Sequence, residues 1–359
     1  NHNQSGRFFA WVIGGSHPSA IAADWLTSVW DQNAGLYNCT PSSGIVEEIC
    51  GGWLKTLLNI PEQASFAFVT GCQMANFTCL NAARNHLFNN AGWNIETQGF
   101  YGAPLIRIIT GDQKHSTVIR ALRMLGFGTD MVIQLPSDDA GRISVDAVES
   151  EFRKNPAIPT MLILQAGEIH TGGFDDFSTI IPMAHQYNAW VHIDGAFGLW
   201  AAASESYKHL MKGAEQADSW ATDGHKWLNV PYDSGYAFVA HQDAHFLSLS
   251  QQASYIEQDD EARDQANWNP ELSRRARGFA TFAAIKELGT SGIEALVDRC
   301  CQHAAAIVKG ASELPGVEVL AYPIINQGLL RFRDPSGKTD EYFYEKFTEA
   351  VISAINASG

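Results

Sequence analysis

Short apolar runs recur along the chain, and most are followed by a longer segment whose apolar positions repeat at helical spacing. Phe66–Val69 reads as a strand that ends at Thr70-Gly71, and Met74–Phe88 then reads as a helix. Leu105–Ile109 is strand-like and His115–Leu125 helical. Met131–Leu135, Thr160–Gln165 and Trp190–Ile193 continue the strands, with helices near Ser144–Phe152 and Phe177–Tyr187 between them. Ser219–Thr222 and Tyr236–Ala240 follow as strands. Continuously apolar strands separated by helices predict a mostly parallel sheet covered on both faces.

The pattern changes near Gln251. Residues 251–269 are polar and acidic with few aliphatics, which predicts a mobile loop. Two long helical segments follow, Pro270–Leu288 and Ser291–Leu314, with Gly289 as the stop between them. Val317–Leu320 and Gly328–Arg333 read as strands and Glu341–Ile355 as a helix. The expected organisation is an N-terminal segment (1–60), a large α/β domain (61–250), the loop (251–269), and linking helices with a smaller α+β C-terminal domain (270–359). At 359 residues, two domains fit the usual size of roughly 150 residues each.

Composition narrows the function. The 45% hydrophobic content supports a sizeable core. A formal net charge of −15 argues against nucleic acid and anionic membranes as partners. No apolar run approaches the roughly 20 residues of a membrane span. The six cysteines form no CxxC pair, so reduced thiols and a cytoplasmic location are expected. No GxGxxG follows a strand with an acid about twenty residues on, which weighs against a dinucleotide site. The 12 histidines are scattered and no HExxH occurs, so no metal site is expected.

Four features fall at strand ends, where open α/β sheets bind ligands. In Trp190–Ala196 an apolar strand delivers Asp194 at its carboxyl end, followed by two tiny residues. Such an Asp could hold a protonated ring nitrogen, and Ala196 would let a flat ring lie close; a helix-capping Asp is an equal alternative for this feature alone. In Ala221–Trp227 a lysine, Lys226, follows a strand and a tight turn among aromatic residues. Partial desolvation would lower its pKa and make it a Schiff-base nucleophile, although a lysine on a turn is usually a surface charge. Lys226 lies about thirty residues after Asp194, the length of one strand–helix–strand crossover. Thr70–Asn76 is a strand-to-helix turn able to bind phosphate through backbone N–H groups. Finally, His115 opens a helix at another strand end. Together these would bind a phosphate, stack a ring, protonate its nitrogen and attach its aldehyde, which is what pyridoxal phosphate requires.

The combination His192-Ile193-Asp194-Gly195-Ala196, Ala217-Asp218-Ser219 and His225-Lys226-Trp227-Leu228 resembles the group II pyridoxal-dependent decarboxylases, which include aromatic-L-amino-acid, glutamate and histidine decarboxylases. Pro41 with Glu47-Glu48, Ala75-Asn76, His115-Ser116, Gly172–Asp175 and Ser273–Arg277 also match, and Asn229–Gly235 is similar to a bacterial branch. The resemblance covers nearly all of the chain. It implies the type I PLP-dependent transferase fold, an α/β fold with a seven-stranded-type sheet. It implies a soluble homodimer with its site at or near the subunit interface, and decarboxylation of an L-amino acid to the amine and carbon dioxide.

By the same resemblance, Lys226 would carry pyridoxal 5′-phosphate as a Schiff base and Asp194 would pair with its ring nitrogen. His115 would stack on one ring face near the substrate carboxylate, and Ala196 would pack against the other. Cys72, Gln73 and His225 would hold the phosphate. Tyr255 would protonate the substrate carbon, and the Arg274–Arg277 segment would sit near the cofactor of one subunit or the other. Two positions depart from the family pattern. Cys72-Gln73-Met74 replaces a turn of small hydroxyl or glycine residues followed by an acid. Gly167-Glu168-Ile169 replaces a Gly-Thr-Thr, and Ile169 cannot donate a hydroxyl hydrogen bond. The family's N-terminal arm and the last part of its C-terminal domain have no counterpart, so a truncated or incompletely ordered chain is expected. Another reaction of the same scaffold (transamination, carbon–sulfur cleavage, aldehyde formation) and an inactive cofactor-binding relative remain alternatives.

Overall fold

The computed structural model describes residues 3, 5, 8, 11–250, 262–334 and 340–358. The chain enters through α1 (Pro18–Trp30) and α2 (Pro41–Leu57), neither of which the apolar pattern picked out. Each begins on a proline, whose fixed φ suits a first helical turn that needs no N–H donor. Then come β1 (Ser65–Val69), α3 (Cys72–Asn90), the short α4 (Ile95–Gln98), β2 (Arg107–Gly111), α5 (Ser116–Met124) and β3 (Val132–Leu135). They are followed by α6 (Val145–Lys154), β4 (Thr160–Gln165), α7 (Phe177–Gln186), β5 (Trp190–Asp194), β6 (Ser219–Asp223), β7 (Gly235–Val239) and α8 (Gln242–Leu249). The chain continues through α9 (Gly278–Ser312), β8 (Val317–Ala321), β9 (Leu329–Phe332) and α10 (Glu341–Ala357).

The first seven strands form one sheet in the order β1-β7-β6-β5-β4-β2-β3. Strands β2 to β6 pair in parallel, and β7 runs antiparallel to both β1 and β6. The strands are apolar at consecutive positions because both faces are covered. Ala67, Val69, Ile108, Met161 and Ile163 join the core on the α3 and α5 side. Phe66, Phe68, Leu162, Leu164, Val191 and Ile193 face the opposite core with α2, α6, α7 and α9. Fully burying a side chain of this size contributes roughly 1.5–3 kcal/mol. Helices α6 and α7 start on side-chain caps that satisfy free N–H groups: Ser144 accepts from Ala147 N and Asp176 from Thr179 N. The start of β7 crosses the β1–α3 turn so closely that a Cβ on Gly235 would lie 2.5 Å from Gly71 Cα. Glycine is required there by contact, and this packing fixes the turn in place.

The expected strands all form. The expected helix from Pro270 does not begin until Gly278. Residues before it run as an irregular segment pinned to the N-terminal region, with Asn33 bridging Arg275 and Arg274 N–H donating to Asn33 Oδ1. Gly289 breaks the long helix with φ 62°, a left-handed value that glycine adopts at little cost, as the sequence predicted. Within the expected loop 251–269, residues 262–269 are packed. Arg263 lies 4.0 Å from the Phe66 ring centroid and 4.5 Å from that of Trp268, and Asp264 Oδ1 accepts Tyr37 N–H at 2.7 Å. The antiparallel pair β8–β9 lies with α10 beyond α9, and Thr348 Oγ1 accepts Phe332 N–H.

Candidate active site

Strands β2, β4, β5 and β6 all end at one edge of the sheet, and the residues just beyond them surround a cavity of about 250 Å³. Lys226, Asp194, Ala196 and His115 all line it, with Phe197, Gln165, Glu168 and Lys114. Four positions chosen from three separate sequence segments thus meet in one place. Parallel strands put their carboxyl ends, and the loops that follow them, along a common rim.

Asp194 ends β5 and is 4% exposed. Its Oδ1 accepts Ala196 N–H at 3.2 Å and the Cys72 thiol at 3.4 Å, and its Oδ2 accepts Asn76 Nδ2–H at 3.1 Å. Three donors from two elements therefore aim this carboxylate. Burial and the adjoining carboxylates push the Cys72 thiol well above its ordinary range, so it acts as a neutral donor.

Lys226 follows β6. The sequence reading expected a lysine whose pKa is lowered by desolvation; the structure overturns this. Burial does work to lower it, but the carboxylates of Asp223 and Asp194 act against burial, and the net direction is above lysine's ordinary value. The cause is geometric: Asp223 Oδ2 lies 3.0 Å from Lys226 Nζ. Asp223 also accepts Cys72 N–H, the first of α3, at 2.5 Å through Oδ1, and His225 Nε2 lies 3.2 Å from the same oxygen. A carboxylate thus ties the lysine to the α3 N-terminus. Sequence reasoning passed over Asp223. Its place three residues before Lys226 was visible, but only the tight turn at Gly224 brings the two together.

The three residues expected to hold phosphate are dispersed around this carboxylate. Cys72 sits at the start of α3, its amide on Asp223 and its thiol on Asp194. His225 Nδ1 accepts Ser234 N–H at 3.1 Å, and its ring stacks on Tyr232 with centroids 4.3 Å apart. Gln73 Oε1 accepts from Arg120 at 3.2 Å. None of the three is among the residues lining the cavity.

His115 caps α5. Its Nδ1 accepts Thr117 N–H at 3.3 Å and lies 2.7 Å from Thr117 Oγ1. Those bonds occupy Nδ1, so the neutral ring carries its proton on Nε2. Glu168, where the family pattern has threonine, caps its own turn: Oε2 accepts the N–H groups of His170 and Thr171 at 2.7 and 2.8 Å. Ile169 lines the cavity. Tyr255 lies outside the described residues.

Arg274 is committed elsewhere. It forms a fully buried ion pair with Glu47 at 2.8 Å and donates to the carbonyls of Ala34 and Phe68. Arg275 pairs with Asp24 at 2.7 Å. Arg277 pairs with Asp233 at 2.6 Å, next to the Tyr232 that stacks on His225. Among the described residues no cluster of histidine, cysteine and carboxylate side chains could hold a metal ion. Among them, too, no helix is long and apolar enough to cross a membrane.

The family profile described as the pyridoxal-dependent decarboxylase conserved domain matches residues 1–333. An aromatic-L-amino-acid decarboxylase of Bacillus atrophaeus is 29% identical over 305 residues, covering 83% of this chain and 61% of that protein. An L-2,4-diaminobutyrate decarboxylase of Rhizobium meliloti is 25% identical over 346 residues, covering 94% of this chain and 66% of the relative. The chain thus spans about three fifths to two thirds of these relatives. The solved structure of Oryza sativa TDC with PLP and tryptamine superposes with a TM-score of 0.90 at 19% identity, over 97% of this chain and 74% of that one. That likeness gives the fold, a mostly parallel sheet flanked by helices as in the type I PLP-dependent enzymes. With its profile match running from the first residue to β9, the chain belongs to the pyridoxal-dependent decarboxylase family.

Proposed function

We propose that this chain decarboxylates an L-amino acid to its amine, with pyridoxal 5′-phosphate held covalently on Lys226. One observation carries the reading: an amino group, a fixed carboxylate, a small residue and a histidine cap converge on a single cavity. The residues fit the cofactor. Asp194 is a carboxylate held by three donors and suited to a protonated ring nitrogen, and Ala196 leaves room for a flat ring. The Asp223 carboxylate on the first N–H of α3 marks an anion-binding position at a helix N-terminus.

Bound there, the cofactor supplies an electron sink for the pair released when the Cα–carboxylate bond breaks. The chain's own groups set the stage. Asp194 keeps a negative charge against the ring nitrogen and so favours its protonated form. His115 lines the cavity with its Nδ1 taken up by Thr117, and its Nε2–H is proposed to donate to a substrate carboxylate and orient it. Tyr255 is proposed to return the proton to the substrate Cα. The Asp223 contact has its own consequence. Attack on an aldehyde needs the neutral amine, so capture at Lys226 should accelerate as pH rises toward the lysine's raised pKa. Replacing Asp223 with Asn should speed capture at neutral pH, read by stopped-flow absorbance; an unchanged rate would remove Asp223 from this role.

The test of the reaction is the product. With candidate amino acids, equimolar amine and carbon dioxide are expected, and ammonia with an aldehyde would contradict the proposal. Tyr255→Phe should keep the cofactor bound and suppress amine formation by about 10²-fold or more, the range for losing a positioned proton donor. Amine at the normal rate would exclude Tyr255. We further propose that the protein acts as a cytoplasmic homodimer. Support comes from the outer face of α1, where Trp25, Leu26 and Val29 are exposed together. Sedimentation at the monomer mass would end that part.

A further inference from the structure

Behind Asp194 runs a buried chain of hydrogen bonds that joins residues of separate sequence motifs. Trp190 Nε1–H donates to Ser219 Oγ at 2.9 Å, and Ser219 Oγ lies 2.9 Å from His192 Nδ1. His192 Nε2 lies 2.9 Å from Asn76 Oδ1, and Asn76 Nδ2–H donates to Asp194 Oδ2 at 3.1 Å. Asn76, His192 and Ser219 are wholly buried, and Trp190 is 2% exposed.

The direction of this chain is set from the Asp194 end. An ionised carboxylate only accepts, so Asn76 turns its NH₂ to Asp194 and its Oδ1 to His192. The imidazole then carries its proton on Nε2 and donates to Asn76 Oδ1, which leaves Nδ1 as an acceptor. The Ser219 hydroxyl, which accepts the indole N–H of Trp190, donates to that Nδ1. Burial lowers the His192 pKa to about 4, so the ring is neutral near pH 7 and the pattern needs no net charge. Three residues from two strands (Trp190 and His192 of β5, Ser219 of β6) thus match the orientation of the Asn76 amide on α3.

We propose that Asn76, His192, Ser219 and Trp190 are positioning residues that hold Asp194 oriented and ionised against the cofactor's ring nitrogen. The inference rests on the reading that Asp194 meets that nitrogen. Cutting the chain at Ser219 has a defined effect. Without the hydroxyl donor, His192 can take the Nδ1–H tautomer, and Nε2 becomes an acceptor. Asn76 must then turn its NH₂ to His192 and its carbonyl oxygen to Asp194, where two acceptors repel. Asn76→Leu removes the same donor directly.

The test measures binding of two probes to the full chain and its variants: pyridoxal 5′-phosphate and its 1-deaza analogue, in which ring C–H replaces ring nitrogen. The wild type should prefer the nitrogen ring, and Asp194→Ala should abolish the preference. Ser219→Ala and Asn76→Leu should each weaken pyridoxal phosphate binding about tenfold, the size of one hydrogen bond to a charged group. Binding of the deaza analogue should be unchanged, and Ser219→Thr, which keeps the hydroxyl, should restore the preference. A generally loosened fold would weaken both probes alike, and that result would overturn the proposal. If the wild type prefers the nitrogen ring, Asp194→Ala abolishes that preference and Ser219→Ala retains it, the Asp194 reading stands and the relay is wrong. If the wild type shows no preference, the Asp194 reading itself fails, and the relay with it.

Discussion

Lys226→Ala is expected to abolish covalent capture of pyridoxal phosphate and to lower turnover by about 10³-fold or more, as loss of a covalent nucleophile does in other enzymes. Borohydride treatment followed by mass measurement should add the cofactor to the wild type at a peptide containing residue 226 and add nothing to the variant. The substitution should leave the chain folded but less stable, because the buried Asp223 carboxylate loses its charged partner. The Lys226 side chain is about one fifth exposed, and removing it frees Asp223 to keep the Cys72 and His225 contacts. A variant that still trapped cofactor covalently would move the attachment point to another lysine and dismantle the site described above. Lys114 is the obvious control, since it lines the same cavity but bonds Gln134 and sits on the outer rim.

The largest effect on stability is expected at Arg274. Its guanidinium joins Glu47 to the carbonyls of Ala34 and Phe68 with none of its side chain exposed. Arg274→Ala leaves the buried Glu47 carboxylate without its partner, which typically costs about 3–5 kcal/mol. Whole-domain stabilities are about 5–15 kcal/mol, so the loss is a large fraction of the total. Urea unfolding should show the midpoint falling sharply. Arg274→Met combined with Glu47→Leu should recover much of it, because the cost lies in stranding one charge and not in losing the pair. If Arg274→Ala unfolded at the wild-type midpoint, the pair would carry no structural weight, and a role for Arg274 toward ligand would have to be reconsidered.

The two residues show how differently chemistry and architecture are written in a chain. Lys226, Asp194 and His115 were legible because each follows an apolar run that must be a strand, and strand ends of a parallel sheet share one edge. Arg274 was legible as a family match, yet its contacts with Glu47 and with the carbonyls of Ala34 and Phe68 were not. It lies in a segment that looked helical from residue 270 but runs irregularly until Gly278, held by partners more than two hundred residues earlier. The helices α1 and α2 escaped notice for a similar reason. Polar and small residues interrupt their apolar positions, and packing on α9 stabilises them more than any local pattern.

By itself the sequence determined the order of the strands from β1 to β9, the break at Gly289, and that Lys226, Asp194, Ala196 and His115 lie at the sheet edge. These follow from local periodicity and from the short connections that keep neighbouring elements together. Tertiary structure alone decided that Asp223 raises the Lys226 pKa where desolvation was expected to lower it. It also decided that Asn76 reaches Asp194 through a line drawn from Trp190, and that Arg274 serves Glu47. Each of these is an electrostatic or hydrogen-bonding relation governed by distances of about 3 Å. Distances of that kind are set by how separate elements pack and are not encoded in spacing along the chain.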